Sequence, residues 1–459
     1  MCALQMDDAQ FDKFIEIVLD APKRDCTAKI GAFDIASGTE DILYSPIDDS
    51  IIFGRLQDPE PGTAERAATV AAEAFKSWSA TVPAERRKII SDVAKLLEPR
   101  LYRMAAEVVL STGMSREDAF NEAATTIEVL KKVADACDSP MGKPLGVWAV
   151  IALRSSPLAS PVGYAAMAIA AGNTVVLMPS GACPRPVFSV FDVFRTAGLP
   201  DGVLNIVCDR VDRFMPELCD TLDVLGVVAS GCGPSMDEMM FLAIDDDMHF
   251  VNEVKGMNPV VVSSPGDMKK AAAAIIDSAV ANNGMGLYAC SKIFVKAEEE
   301  RTLLSAMVEK LKDLKVGDTT YAGTAMGPLL NDRIEKAFLD LKESHIENVA
   351  FGGKKVPCES NGRYYSPLLL VGLNEEDELL YADSGLPVMV IRPYASVSDL
   401  TDELSQTDCG LSVGIMSTDS KTVSAVKKFA ADDGLAVWGN EGSRGLKAVS
   451  MATVQDFCK

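Results

Sequence analysis

GVWAVIALRSSPLASPVGYAAMAIAAGNTVVLMPS, residues 146–180, holds two almost purely apolar runs with a small-residue stretch between them. Residues 146–153 and 174–180 are rich in Val, Ile and Leu without alternation, the pattern of strands buried on both faces. Between them, 158–171 reads as a helix. The same order continues through a helix at 185–197, a strand VLNIVC at 203–208, a helix near 212–221 and a strand VLGVVAS at 224–230. Such alternation predicts a parallel sheet covered on both faces, a doubly wound α/β domain. Ligands bind these sheets at the carboxyl ends of the strands, so the turns Leu153–Ser156, Met178–Gly181 and Ala229–Pro234 are expected to line a cleft. SGCGPS (230–235) leads into a predicted helix whose first amides could hold phosphate. A turn with two glycines is equally expected on steric grounds, and GxGxxG is absent.

Upstream, residues 1–60 form an acidic lead-in with a helical pattern at Phe11–Leu19 and no recognisable chemistry. Four helices follow: one from Thr63 through Ala74, Phe75 and Trp78; one after Pro83 with Ile89, Ile90, Val93, Leu96 and Leu97; and two more at 101–111 and 115–136. Thr63 and Ser115 stand where helix N-caps are expected.

Downstream, a second α/β unit is expected from His249, with a strand at Pro259–Val262, a helix at 267–281 and later elements through Val388–Ile391, Ser412–Met416 and Ala436–Trp438. Its centre is ANNGMGLYACSKIFV, residues 281–295, a glycine-rich turn running into a strand. Enzymes that work through a covalent thioester present their nucleophile in such a turn. The one thiol there, Cys290, lies so close to the strand that packing is its expected role, since Cys is among the most buried residue types. The chain is expected to divide into 1–248, 249–436 and a C-terminal segment 437–459 that ends in a strand near Ala452–Phe457.

With 459 residues, 48% of them hydrophobic, the chain is globular and too long for one core. Its net charge of −22 argues against nucleic acid or an anionic membrane surface as partner. Eleven Cys without a CxxC pair indicate neither a zinc site nor a disulfide framework, and a reducing, cytoplasmic home is expected. The two His, His249 and His345, lack neighbours at ligand spacing, so no metal is expected. No apolar run reaches the length of a membrane span.

PLGVWAV, AIAAGNTVVLMPS, AGLPDGVLNIV, NEVKGMNPVVV, KVGD with Gly327-Pro328-Leu329, and the segments at Pro387-Val388 and Gly410-Leu411 occur in the order found in the aldehyde dehydrogenase superfamily. The chain resembles that family over roughly residues 40–459. The resemblance implies an aldehyde dehydrogenase-like fold of two doubly wound parallel-sheet domains, the first a Rossmann-like dinucleotide-binding domain and the second of catalytic type, with the C-terminal segment 437–459 returning to the first. It also implies NAD or NADP as cofactor and a small aldehyde or acyl substrate. The hairpin arm through which family members pair has almost no room at Cys137–Lys143. With the arm short or missing, a monomer or dimer is expected in place of an arm-mediated tetramer.

Carried across residue by residue, the resemblance departs from the family at its chemistry. Counting back from Lys292 and Ile293, the nucleophilic cysteine falls on Leu287, which cannot attack a carbonyl. The oxyanion-stabilising asparagine falls on Ser155, a shorter donor. The lysine that holds the adenosine ribose falls on Met178, and Ser180, in the turn after the same strand, is a further cofactor-binding candidate. The glutamate that binds the nicotinamide ribose falls on Asp383, with Gly385 in place of the aromatic residue after it. Gly231 matches the phosphate turn, and Glu253 matches the general base that would hydrolyse a thioester.

Three readings follow. The fold is retained without thioester chemistry, as a binding, scaffolding or regulatory subunit with weakened cofactor binding and a protein partner. Alternatively, the turn is shifted by about three residues, Cys290 is the nucleophile, and the protein is an active NAD(P)-dependent or coenzyme A-acylating aldehyde dehydrogenase. Or a different chemistry uses Glu253, Ser155 or Tyr288.

Overall fold

The computed structural model describes residues 5–137, 142–221, 223–231, 248–439, 443 and 453–458. The chain divides into two compact units: Met1–Thr112 with Arg116–Glu253 and Ala448–Lys459, and Gly113–Ser115 with Val254–Lys447.

The first unit opens with α1 (Asp8–Asp20) and five short strands, β1 (Arg24–Cys26), β2 (Ala28–Ile30), β3 (Phe33–Ile35), β4 (Glu40–Tyr44) and β5 (Ile52–Gln57). Four helices follow where the periodicity places them: α2 (Thr63–Trp78), α3 (Pro83–Leu97), α4 (Leu101–Thr112) and α5 (Arg116–Ala136). Then come β6 (Val147–Ala152), α6 (Ala159–Ala171), β7 (Thr174–Pro179), α7 (Arg185–Thr196), β8 (Leu204–Ile206), α8 (Val211–Cys219), β9 (Val224–Gly231) and β10 (His249–Val254). The seven-stranded sheet has the order β10-β9-β6-β7-β8-β2-β3, with β6 parallel to both β7 and β9. Every residue of β6 and β7 is buried, which is why both read as unbroken apolar runs.

Sequence expectations need four corrections here. The lead-in holds strands: β1, β5 and β4 form a sheet of their own, and β2 and β3 extend the large one. Thr63 is not the cap of α2; its hydroxyl donates to Glu60 O, while the Glu217 carboxylate accepts from Gly62 N at 2.8 Å and Ala64 N at 3.0 Å. A carboxylate from a distant helix therefore satisfies the first amides of α2 and complements its dipole. The strand at His249 belongs to the first sheet, so the division falls between Glu253 and Val254. Finally, Val454–Phe457 is a 3-10 turn in place of a last strand. Its Phe457 ring lies 4.5 Å from that of Trp148, and Phe457 O accepts from Asn173 Nδ2 at 2.8 Å. Residues 138–141 of the segment expected to lack an arm, and 232–235 of SGCGPS, lie outside the described residues.

The second unit contains β11 (Val260–Ser263), α9 (Met268–Ala279), β12 (Lys292–Lys296), α10 (Glu300–Lys312), α11 (Asp332–Ser344), β13 (Val349–Phe351), β14 (Leu368–Val371) and β15 (Val388–Tyr394). It ends with α12 (Val397–Ser405), β16 (Ser412–Ser417), α13 (Ser420–Asp432) and β17 (Ala436–Trp438). The sheet order is β13-β14-β15-β12-β11-β16-β17, parallel except at the antiparallel β13 edge. Among the described residues no helix is long and apolar enough to cross a membrane.

Candidate functional site

In the first unit the site residues gather at the carboxyl ends of the strands. The chain leaves β6 toward β7 and β8 on one side, while β9 lies on the other, so strand order reverses at β6. Ile151 stands in register with Met178 and Ala229, and Ala152 with Pro179 and Ser230. Ser155 and Ser180 thus follow two neighbouring strand ends, and Gly231 is the last residue of a third. Gly231 has φ +127°, and a Cβ there would lie 2.8 Å from Leu153 Cβ, so close strand contact by itself requires glycine. Met178 is fully enclosed in the sheet, Ser155 and Ser180 are buried, and Glu253 is buried in the edge strand β10.

The turn carrying Ser155 is held by a residue that the sequence did not single out. Glu122 Oε1, on α5, accepts from Ser156 Oγ at 2.7 Å, Leu158 N at 3.0 Å and Ala159 N at 2.8 Å. Leu158 offers α6 no side-chain cap, so Glu122 supplies it from another helix. Burial pushes the Glu122 carboxyl above the usual carboxylate range, opposed by the bonds from Ser156, Ala159 and Leu158.

In the second unit the turn before β12 is built from three consecutive left-handed residues, Asn282 (φ 47°), Asn283 (φ 54°) and Gly284 (φ 83°). A Cβ at Gly284 would stand 2.4 Å from Pro387 Cα. Two asparagines bind the turn down. Asn283 Nδ2 donates to Gly113 O and Pro328 O, both at 3.1 Å, and its Oδ1 accepts from Gly327 N at 2.7 Å. Asn258, itself at φ 45°, donates from Nδ2 to Gly256 O, Leu287 O and Ala289 O, and accepts at Oδ1 from Leu411 N, Ser412 N and Ser412 Oγ.

This scaffold fixes what the turn presents. Leu287, Tyr288 and Cys290 are all buried. Cys290 belongs to the core formed with Ile275, Ile293 and Met307; its thiol donates to Ile275 O at 3.4 Å, and its amide donates to Ser278 Oγ at 3.3 Å. Burial pushes the thiol up to about 12, against the smaller opposing effects of Ser278 and Lys255. Reactive thiols show the opposite shift.

Asp383 is engaged by a residue absent from the sequence-based site. Its Oδ2 lies 2.5 Å from Lys255 Nζ and accepts from Gly385 N at 2.8 Å, with the two side chains 4% and 1% exposed. A lysine inside the apolar run VKGMNPVVV was the available signal, because a buried ammonium requires a partner.

Residues 37–446 match the model of the aldehyde dehydrogenase family, and the chain belongs to that family. It is 27% identical over 398 residues to the alpha-ketoglutaric semialdehyde dehydrogenase of Bacillus subtilis (strain 168), covering 81% of each chain. It is 25% identical over 394 residues to the lactaldehyde dehydrogenase of Escherichia coli (strain K12), again covering 81% of each. Among solved structures, an aldehyde dehydrogenase from Bacillus cereus in complex with NAD+ superposes with TM-score 0.86 at 21% identity, covering 96% of both chains. A Thermus 1-pyrroline-5-carboxylate dehydrogenase with bound NAD superposes with TM-score 0.87 at 19% identity, covering 98% of this chain and 90% of that one.

Proposed function

We propose that this chain keeps the aldehyde dehydrogenase fold without the family's thioester chemistry and serves as a binding, scaffolding or regulatory protein. The observation that carries this reading is the Asn258 bond to Leu287 O: the turn is pinned by its own carbonyl at the position matched to the nucleophile, and the side chain there is a leucine. A three-residue slip that brought Cys290 to that position would have to remove its thiol from the core and lower a pKa that burial raises. With no thioester to hydrolyse, Glu253 has no acyl intermediate to act on, and Ser155 offers the shorter oxyanion donor.

Within each unit, taken by itself, the residues matched to ribose-binding positions fit such a group poorly. Met178 brings no donor or charge, and Asp383 already holds Lys255. Binding of NAD or NADP is therefore weak in this reading, and a protein partner takes the place of turnover. The first unit is the dinucleotide-type half, the second the catalytic-type half, the protein is cytoplasmic, and it works as a monomer or a dimer. The test is purified protein with NAD or NADP and a panel of aldehydes, with and without coenzyme A, beside Cys290→Ala. No reduction under any condition is expected. Reduction that disappears in Cys290→Ala would overturn the proposal and make Cys290 the nucleophile.

A further inference from the structure

We infer that Lys255 is a built-in competitor for the nicotinamide ribose: its ammonium occupies the Asp383 carboxylate that the ribose hydroxyls would need. The inference rests on the match of Asp383 to the ribose-binding carboxylate in the proposed function. Lys255 goes beyond that match, because it withholds the carboxylate by position and not by chemistry.

Both ends of the pair are fixed before any ligand arrives. Gly256 lies against Gly410, where a Cβ would stand 2.4 Å from Gly410 N, and Met257 N donates to Asp408 O at 2.8 Å. The backbone that carries Lys255 is therefore strapped to the 408–410 turn. On the other side, Gly385 N donates to the same Asp383 oxygen that receives Lys255 Nζ. Asp383 Oδ1 is buried and has no hydrogen-bond partner among the described residues. The carboxylate is thus held through one oxygen by two donors of its own unit, in a place from which water is excluded.

A sugar hydroxyl competes badly with this arrangement. It is neutral and offers one hydrogen bond, whereas separating the pair strands an ammonium and a carboxylate without water. The internal partner also needs no association step, because the chain holds it within bonding distance at all times. Removing Lys255 leaves Oδ2 with the Gly385 amide alone and the carboxylate without its counter-charge, so hydroxyl donors no longer compete with an ammonium.

The experiment is calorimetric titration of the full chain with NAD+ and with NADP+, for the wild type, Lys255→Gly, Asp383→Asn and the double variant. Lys255→Ala carries the same comparison should the glycine variant not fold. Lys255→Gly is expected to bind at least tenfold more tightly than the wild type, about 1.4 kcal/mol. Asp383→Asn should cancel that gain in the double variant and change the wild-type affinity by less than twofold. Unchanged affinity in both Lys255 variants overturns the inference, as does a gain that survives Asp383→Asn, which would point to space and not to the carboxylate. Aldehyde-dependent reduction by the wild type would instead sink the proposed loss of chemistry and leave the Lys255 comparison standing.

Discussion

Asn258 Nδ2 lies 3.1 Å from Leu287 O, so the backbone of the turn is anchored at the residue that the family resemblance matches to the nucleophile position. The same side chain joins the Leu287 and Ala289 carbonyls to the amides of Leu411 and Ser412. It ties together three segments that are distant in sequence. Asn258→Ala leaves buried carbonyls and amides unpaired and keeps a left-handed backbone that Asn tolerates better than Ala. A loss of roughly 3 kcal/mol is expected in urea unfolding. Asn258→Gly should recover about 1 kcal/mol of that by relieving φ 45°. Equal stability of the wild type and the alanine variant would mean that the network is dispensable.

Glu122 does for α6 what its own N-terminal residue cannot. Glu122→Ala removes three bonds at once and is expected to cost about 2 kcal/mol, while Glu122→Gln keeps a carbonyl acceptor and should lose less. The pH dependence has a definite sign. Burial raises the folded-state pKa, so the native state holds its proton to higher pH than the unfolded chain does. The contribution is full below the unfolded pKa and falls as pH rises through the folded one. The stability of Glu122→Gln relative to the wild type should therefore improve as pH climbs above the usual carboxylate range. Urea midpoints at a series of pH values read this directly, and a relative stability that falls over that window contradicts it.

Much of the sheet core was legible because β6 and β7 are buried on both faces and their sequence cannot alternate. The helices 63–78 and 83–97 were legible from one apolar stripe each. The strands β1–β4 were not, because three to five residues at a sheet margin carry too little period to separate them from loop. Of the site, the burial of Cys290 follows from its place beside the strand, a local property. Glu217 under α2, Glu122 under α6 and Lys255 on Asp383 are pairings between segments far apart in sequence. Composition and spacing do not encode such contacts; only the folded chain brings them together.

Lys292 supplies a second pH signal with the opposite sense. Its Nζ donates to Leu380 O and to Thr407 Oγ1 at 3.0 Å, and it sits 4.5 Å from the Phe294 ring centroid. Burial is the largest effect and pushes the ammonium down to about 8, partly offset by Glu403. The native state gives up its proton near pH 8, while the unfolded chain keeps its own to about 10.4. The unfolded state binds more protons across that window, so stability rises with pH, by roughly 3 kcal/mol at the upper limit. Lys292→Met has no such term. The stability of the wild type minus that of Lys292→Met should grow between pH 8 and 10 in urea titrations, and a flat difference contradicts the assignment.

Cys290 decides between a retired and a working active site by its reactivity. Its thiol is 2% exposed, bonded to Ile275 O, and held up to about 12 by burial, so at pH 7 the thiolate that alkylation requires is scarce and enclosed. Modification must wait for the core around Ile275, Ile293 and Met307 to open, which links its rate to unfolding and not to thiol chemistry. Iodoacetamide labelling read by mass spectrometry should give a Cys290 rate at least a hundredfold below that of a free thiol. That rate should climb with sub-denaturing urea. A catalytic thiol would do the reverse, reacting fastest in the native state and slowing as the turn loses its structure. Fast native-state labelling at Cys290 would therefore overturn both the structural role of this cysteine and the proposed loss of thioester chemistry.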